Sequence, residues 1–267
     1  MYAFTYHQPT SLRQAASMLA KSEDAKILAG GHTLLPTMKQ RLAAPGALID
    51  LGKLEELRGI ERGGRSVTIG AMTRHAEVAA SQVVREAIPG LAELAELIGD
   101  PAVRHRGTIG GSVANNDPAA DYPAACLALG ATIVTNKRKI AADDFFTGLF
   151  DTALEEGEII TRVSFPVPGK AAYAKFRNPA SRYALAGVFV AKRGPEIRVA
   201  VTVAASGGVF RWTEAETALK TRFAAKSLDG MSPSVDLMNS DIHADAPYRA
   251  HLVGVMARRA VQAAASR

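Results

Sequence analysis

Two short stretches carry the residue types and spacing that suit contact with a bound ligand: "ILAGGHTLLPTMKQRL" at 27–42 and "RGTIGGSVANND" at 106–117. In the first, Gly30 and Gly31 separate an apolar run from helical spacing. Glycine accepts positive φ and leaves no Cβ in the way, so a ligand can lie directly on the backbone. A helix beginning near Thr33 would add unpaired N–H groups and a partial positive charge, the makings of an anion site. The second stretch repeats the device with Gly107, Gly110 and Gly111. It adds hydroxyls at Thr108 and Ser112, and the carboxylate of Asp121 follows on the next segment.

A lone Gly-Gly also serves a tight strand-to-helix turn with nothing bound. Two such loops, however, could clasp one diphosphate between them. Hydrogen bonds to a charged group contribute ~1.5–3 kcal/mol each, so about four of them approach the ~8 kcal/mol of a micromolar complex without a binding lysine. Neither loop spells GxGxxG or GxxxxGK[ST], which argues against a Rossmann dinucleotide domain and a P-loop triphosphatase.

Other chemistries find less support. His7, His32, His75, His105, His243 and His251 show no metal-ligand spacing, and no metal site is expected. Ser112 and Ser206 lie beside glycines but outside GxSxG, so a serine hydrolase is a weak alternative. Cys126, the single cysteine, sits in the apolar pattern "YPAACLALGA" and reads as core. One thiol can build neither a disulfide nor a four-thiolate cluster within this chain. Met18, Met38, Met72 and Trp212 are scattered and suggest no cofactor box.

The elements that must position the two loops follow from periodicity. "PTSLRQAASMLAKSED" places Leu12, Ala15, Ala16 and Leu19 on one helical face, with Thr10 and Ser11 as caps. "AKILAGG" reads as a strand, and "TLLPTMKQRLA" as a helix that tolerates Pro36 only near its start. "GALIDL" is a strand, and "GIERGGRSVTIGAM" is a hairpin turning at Gly63-Gly64. "RHAEVAASQVVREAIPGLAELAELIG" gives two helices broken near Pro89-Gly90. "DPAVRHRGTIGGSVANNDPAAD" reads as a long functional loop, and "YPAACLALGATIVTN" as a buried helix and a strand. Pro and Gly cluster in "FPVPGK", the expected domain boundary. Beyond it "AAYAKFRNPASRYALAGVFVAK" and "EIRVAVTVAASGGVFRW" read as antiparallel strands. "TEAETALKTRFAA" and "APYRAHLVGVMARRAVQAAA" read as helices, the last with Arg in its closing turns.

With 267 residues, 48% of them hydrophobic, the chain can bury a full core. No stretch approaches the ~20 apolar residues of a membrane span, and the first residues lack signal-peptide character, so a cytoplasmic location is expected. Thirty-two basic against 26 acidic residues give a net charge of +6, which favours anionic ligands. The basic residues are dispersed, and no nucleic-acid partner is expected.

Taken together, "AGGHTLLPTMKQRL", "IGAMTRHAEV", "RGTIGGSVANNDPAADYPAACLALGA", "YAKFRNPASRYALAGV" and the tail "LMNSDIHADAPYRAHLVGVMARRAV" resemble the FAD-binding medium subunit of molybdenum hydroxylases, nearest to the aerobic carbon-monoxide dehydrogenase type. The resemblance spans nearly the whole chain. It implies an α+β protein: a two-lobed FAD-binding domain of the vanillyl-alcohol-oxidase (PCMH) type over 1–167, with lobes of about 1–53 and 54–167, and a smaller C-terminal domain of antiparallel sheet plus helices over 168–267.

Carried across by position, the resemblance implies that Leu28, Ala29, Gly30, Gly31, His32, Thr33, Leu34 and Leu35 form the first FAD loop, and Thr108, Gly110, Gly111 and Ser112 the second. Asp121 would receive a ribose or adenine-side hydrogen bond. Ile98 and Ile160 would be apolar FAD contacts, Lys175 a cation near the isoalloxazine, and Tyr183 an aromatic screening one ring face. His32 stands where relatives often carry Gln, and Ser112 where Asn is common; both keep a polar side chain.

In such a complex a molybdenum cofactor sits on a large molybdopterin-binding subunit and [2Fe-2S] clusters on a small subunit, the whole forming a dimer of heterotrimers. The flavin passes electrons outward to an external acceptor. The resemblance thus implies an electron-transfer oxidoreductase subunit that holds FAD and no metal. It would be cytoplasmic, with peripheral placement at the inner face of the membrane through the complex. A free-standing flavoprotein oxidase and a flavin-free scaffold are the competing readings.

Overall fold

The apolar run that precedes the first glycine loop ends a strand, the second loop follows a short helix, and each loop opens a short helix. In the computed structural model, which describes residues 1–267, the chain begins with β1 (Thr5–His7), α1 (Leu12–Ala20), β2 (Ala25–Leu28), α2 (Leu34–Lys39) and β3 (Ala47–Asp50). Ser11 caps α1 by accepting from the Gln14 N–H, whereas the Thr10 hydroxyl turns to the Gln14 side chain. The three strands form a parallel sheet in the order β1-β3-β2. Ala15, Ala25, Ala47 and Ile49 make its core together with Leu54, Leu57, Met72 and Ile159 from farther along the chain.

The second lobe follows with β4 (Ile60–Gly63), β5 (Ser66–Gly70), α3 (His75–Ala80), α4 (Gln82–Ala87), α5 (Pro89–Glu96), α6 (Pro101–Arg106), α7 (Ile109–Asn115), α8 (Tyr122–Leu129), β6 (Thr132–Thr135), β7 (Lys139–Ala141), α9 (Ala142–Phe145), β8 (Phe146–Gly148), β9 (Asp151–Thr152) and β10 (Ile160–Pro166). Its five-stranded antiparallel sheet runs β4-β5-β10-β6-β7. The helices bury Leu91, Leu94, Ile109, Val113 and all of α8.

Several expectations are corrected here. Gly63 pairs with Ser66, so the hairpin turns at Gly64-Arg65, with Gly64 at φ +58°. The helical stretch 75–96 breaks at Ser81 as well as at Ile88, because the Ser81 hydroxyl accepts from Val84 N–H and starts a new helix. The segment expected as one long loop is mostly helical. Asp100 caps α6 with Pro101 in its first turn, and Thr108 caps α7, so local capping outweighs a loop-like composition.

The remaining residues form β11 (Lys170–Arg177), β12 (Ala184–Arg193), β13 (Glu196–Thr202), β14 (Phe210–Arg211), α10 (Thr213–Thr221) and α11 (Ala246–Ala265). The last turn of α11 carries no basic residue, since Arg258 and Arg259 lie nearer its middle. The sheet β11-β12-β13-β14 is antiparallel, and β12 is buried over eight consecutive residues because both its faces are covered. Val188, Val190 and Val199 face a core with Trp212 and α11, while Tyr173, Phe189 and Ala200 join the core of the second lobe. The sheets change at 167–169, yet the apolar core runs through. No helix is long and apolar enough to cross a membrane.

Candidate functional site

At the first loop Gly31 takes φ +73°, and a Cβ there would meet the side chains of Leu35 and Leu28 at 2.9 and 3.3 Å. Gly30 has no positive φ; its bareness serves a close approach. The N–H groups of Gly30, Gly31, His32, Thr33 and Leu34 find no acceptor within the chain, and the first bonded one is Leu35, to the Gly31 carbonyl at 3.2 Å. Five successive donors are therefore left for something outside the chain. Thr33 precedes α2 without a side-chain capping bond, so its hydroxyl is spare as well.

The second loop is built differently, which corrects its reading as a set of bare donors. The N–H of Ile109 donates to Thr73 O, that of Gly110 to Ala71 O at 2.8 Å, and that of Gly111 to the Thr108 hydroxyl at 3.2 Å. A Cβ on Gly110 would lie 2.5 Å from Ala71 Cβ, and one on Gly107 would lie 2.5 Å from His75 Nε2. These two glycines let α7 seat against the sheet and against α3. Gly111 differs: a Cβ there would meet only Thr108 Oγ1 at 3.0 Å and Ala29 Cβ at 3.5 Å. The Thr108 N–H and the Ser112 hydroxyl have no partner within the chain.

The loops meet edge to edge beside a cleft of about 240 Å³ between the lobes. Gln8, Ala29, Gly30, Asp50 and Lys53 line it from one lobe, and Arg58, Met72, Arg74, Arg106 and Thr108 from the other. Asp50, its single carboxylate, accepts from the Tyr6 hydroxyl at 2.5 Å and the Gly52 N–H at 2.8 Å. Lys53, Arg74 and Arg106 make no ion pair, and Arg58 Nε, buried without a hydrogen bond, lies 3.7 Å from the Glu55 carboxylate. The sequence did not reveal this cationic wall, because its members are scattered over 53–106 and converge only on folding.

A second group of expected residues gathers where the start of α8 and the end of α5 meet β11. Asp121 is 4% exposed, and both its oxygens accept from the protein: Oδ1 from the Tyr173 hydroxyl at 2.5 Å, Oδ2 from Lys175 Nζ at 2.9 Å. Each oxygen of the carboxylate expected to meet a ribose or adenine thus already accepts one bond from the C-terminal sheet. Burial pushes its pKa up, while the Lys175 ammonium and the Tyr173 hydroxyl pull it down. Lys175 also donates to the Leu97 carbonyl at 3.1 Å, and Arg104 donates to the carbonyls of Ile98 and Gly99 at 3.0 Å each. Ile98 is thus fixed by cations on both sides and remains half-buried.

Lys175 has a side chain 1% exposed, and Ile160 is 5% exposed in the second-lobe core. Tyr183 is 56% exposed in the turn between β11 and β12, near enough to Asp117 and Asp121 to sense their charge. Beneath the second loop, His75 is held neutral, its pKa lowered to about 4 chiefly by burial, with His32 and Arg104 adding to the effect. Its ring lies 5.4 Å from that of Tyr122, and His75 Nδ1 and the Tyr122 hydroxyl are both buried without partners.

Free N–H groups, a Cβ-free surface at Gly111 and unpaired cations beside one cleft suit a diphosphate, which places the protein among two-lobed nucleotide-cofactor folds. Residues 2–168 match the family described as the FAD binding domain in molybdopterin dehydrogenase. The chain is 37% identical to the carbon monoxide dehydrogenase medium chain of Hydrogenophaga pseudoflava, over 99% of this chain and 98% of that one. It is 36% identical to the nicotine 6-hydroxylase medium subunit of Paenarthrobacter nicotinovorans, again over 99% and 98%. A chain of the reconstituted CO dehydrogenase from Oligotropha carboxidovorans superposes with a TM-score of 0.92 at 37% identity, covering 100% of this chain and 99% of the other. The chain belongs to this family: it is an FAD-binding medium subunit of the molybdenum hydroxylases, an oxidoreductase subunit of the carbon monoxide and xanthine dehydrogenase type.

Proposed function

We propose that the subunit carries electrons out of its complex, taking them from iron–sulfur clusters on a small partner subunit and passing them through FAD to an external acceptor. The reading rests chiefly on the five acceptor-free N–H groups from Gly30 to Leu34, beside a cleft of unpaired cations. That run would hold the FAD diphosphate, with Thr108, Gly111 and Ser112 opposite and Lys53, Arg74 and Arg106 balancing its charge. Leu28 and Leu35 close the back of the loop, and His32 and Thr33 offer polar side chains at its edge.

Ile98 and Tyr183 would border the ring end of the cofactor, and the Asp121–Lys175 pair would support that end from behind. The flavin supplies the electron chemistry, while the chain positions it and sets its electrostatic surroundings. No acid–base pair of the chain is required. Two heterotrimers, each with a molybdopterin-binding large subunit and a [2Fe-2S] small subunit, make up the assembly. The substrate belongs to the large subunit's pocket.

The test is to purify the native complex through a tag on this chain and to identify co-purifying subunits and bound flavin by mass spectrometry. FAD with a molybdopterin chain and an iron–sulfur chain is the expected result. FAD on a solitary chain reduced by its own substrate would replace this reading with a free-standing oxidase, and a complex without flavin would leave a scaffold.

A further inference from the structure

One row of the C-terminal sheet grips two consecutive residues of the flavin domain. Lys175 of β11, Gly187 of β12 and Thr202 of β13 are in register, and Tyr173 lies two residues along on the same face. The Thr202 hydroxyl donates to the Ala120 carbonyl at 2.6 Å, and Tyr173 and Lys175 each hold one oxygen of Asp121. Asp121 directly precedes α8 but makes no capping bond to it, although such a cap typically contributes ~1 kcal/mol. Its carboxylate is committed to the sheet instead. Gly187 makes this possible, because a Cβ there would lie 2.3 Å from the Tyr173 hydroxyl oxygen and 2.8 Å from Thr202 Cγ2.

Resting on the reading that Ile98 and the Asp121–Lys175 pair border the flavin, we infer that Tyr173 is a positioning residue of the flavin site. It acts through Asp121 on Lys175, and through the Leu97 carbonyl on Ile98. Lys175 alone would hold one carboxylate oxygen and leave the other a buried acceptor without a donor, free to turn the group. With the hydroxyl in place, both oxygens are fixed and the ammonium is aimed at Leu97. The C-terminal sheet therefore governs how FAD is held although neither glycine loop belongs to it.

The experiment compares Tyr173→Phe, Gly187→Ala and the double variant in the complex isolated through a tag on this chain. Three quantities are measured: the FAD dissociation constant of the flavin-stripped complex, the midpoint potential of the bound flavin, and Tm. Tyr173→Phe is expected to raise the dissociation constant roughly tenfold, as for one lost hydrogen bond to a charged group, and to shift the potential beyond titration error. Gly187→Ala displaces the same hydroxyl and is expected to act alike. The double variant then falls no further than the worse single one, since both remove one interaction.

A Tyr173→Phe complex with wild-type FAD affinity and potential overturns the inference, as does a fall in Tm alone, which marks a merely structural residue. Additive effects overturn the role given to Gly187. If Gly187→Ala fails to fold, Tyr173→Phe decides by itself. A wild-type complex that takes up no FAD overturns the underlying flavin reading instead, so the two failures are distinguishable.

Discussion

A Cβ on Gly30 would stand 2.2 Å from the carbonyl oxygen of Arg106 and 2.8 Å from the Cα of Gly107. The two glycine loops are thus fitted backbone against backbone, one from each lobe. This contact brings five unused N–H groups beside the cationic cleft. Close approach, rather than the ligand alone, requires glycine at position 30. Positive φ requires it at position 31.

Two glycine variants separate packing from binding. Gly30→Ala drives a methyl group into backbone that cannot move aside cheaply, and is expected to cost about 1–3 kcal/mol together with the flavin. At Gly111 an added Cβ meets Thr108 Oγ1 and Ala29 Cβ and no backbone outside its own helix, so Gly111→Val is expected to fold while its branches fill the diphosphate site. Tm and the flavin-to-protein ratio measure both effects. Normal flavin content in Gly111→Val would remove the second loop from the site.

His75 makes stability depend on mild acid. Burial lowers its folded pKa to about 4 from an ordinary 6.5, so the unfolded chain binds the proton first. Its contribution is complete above pH 6.5 and is lost as pH falls toward about 4, by up to roughly 3 kcal/mol. Urea unfolding of the flavin-free protein at several pH values across this window should show the decline, and His75→Gln should flatten it. An unchanged slope in the variant would show that other groups carry the effect.

Glu158 acts in a lower window. Burial would raise its pKa, but the Arg138 guanidinium, the Glu155 N–H at 2.8 Å and the Thr135 hydroxyl at 2.6 Å together bring it down to about 2. Its contribution is present above the ordinary value of 4.5 and is lost as pH falls through about 2. Glu158→Gln should therefore destabilise the protein at pH 7 by about 2–4 kcal/mol and leave a smaller gap at pH 2, read from the thermal midpoint at each pH. Equal destabilisation at both values would point to lost packing rather than lost charge.

The glycine loops and most strands were legible in the sequence because paired glycines beside apolar residues, and the largely apolar runs of 184–191 and 197–201, are local signals. The helices α6 and α7 were not, since Gly, Asn and Asp dominate the composition of 99–121 while single caps at Asp100 and Thr108 decide the backbone. Gly110 has a packing requirement that spacing does not show, a close approach to Ala71, a neighbour 39 residues away that only folding supplies. The partners of Asp121 were hidden for the same reason: Tyr173 and Lys175 lie on another sheet. Long-range pairing is invisible to spacing rules, and Lys53, Arg74 and Arg106 were overlooked on that account.

Those three cations yield the last prediction. None has a carboxylate partner, and all face the same cleft as Gly30 and Thr108, so a bound diphosphate would be their counter-charge. Exposed charges of this kind are screened over about 8 Å at physiological ionic strength, so FAD affinity should fall as salt rises. Replacing Lys53, Arg74 and Arg106 singly by Gln should weaken binding only a few-fold, in line with the ~0.2–1 kcal/mol of exposed ion pairs. The triple variant should bind weakly at low salt and show little further salt dependence. Titration of the flavin-stripped complex with FAD at low and high salt measures this directly. A triple variant with the wild-type salt slope would place the diphosphate away from the cationic wall, on the N–H run of the first loop alone.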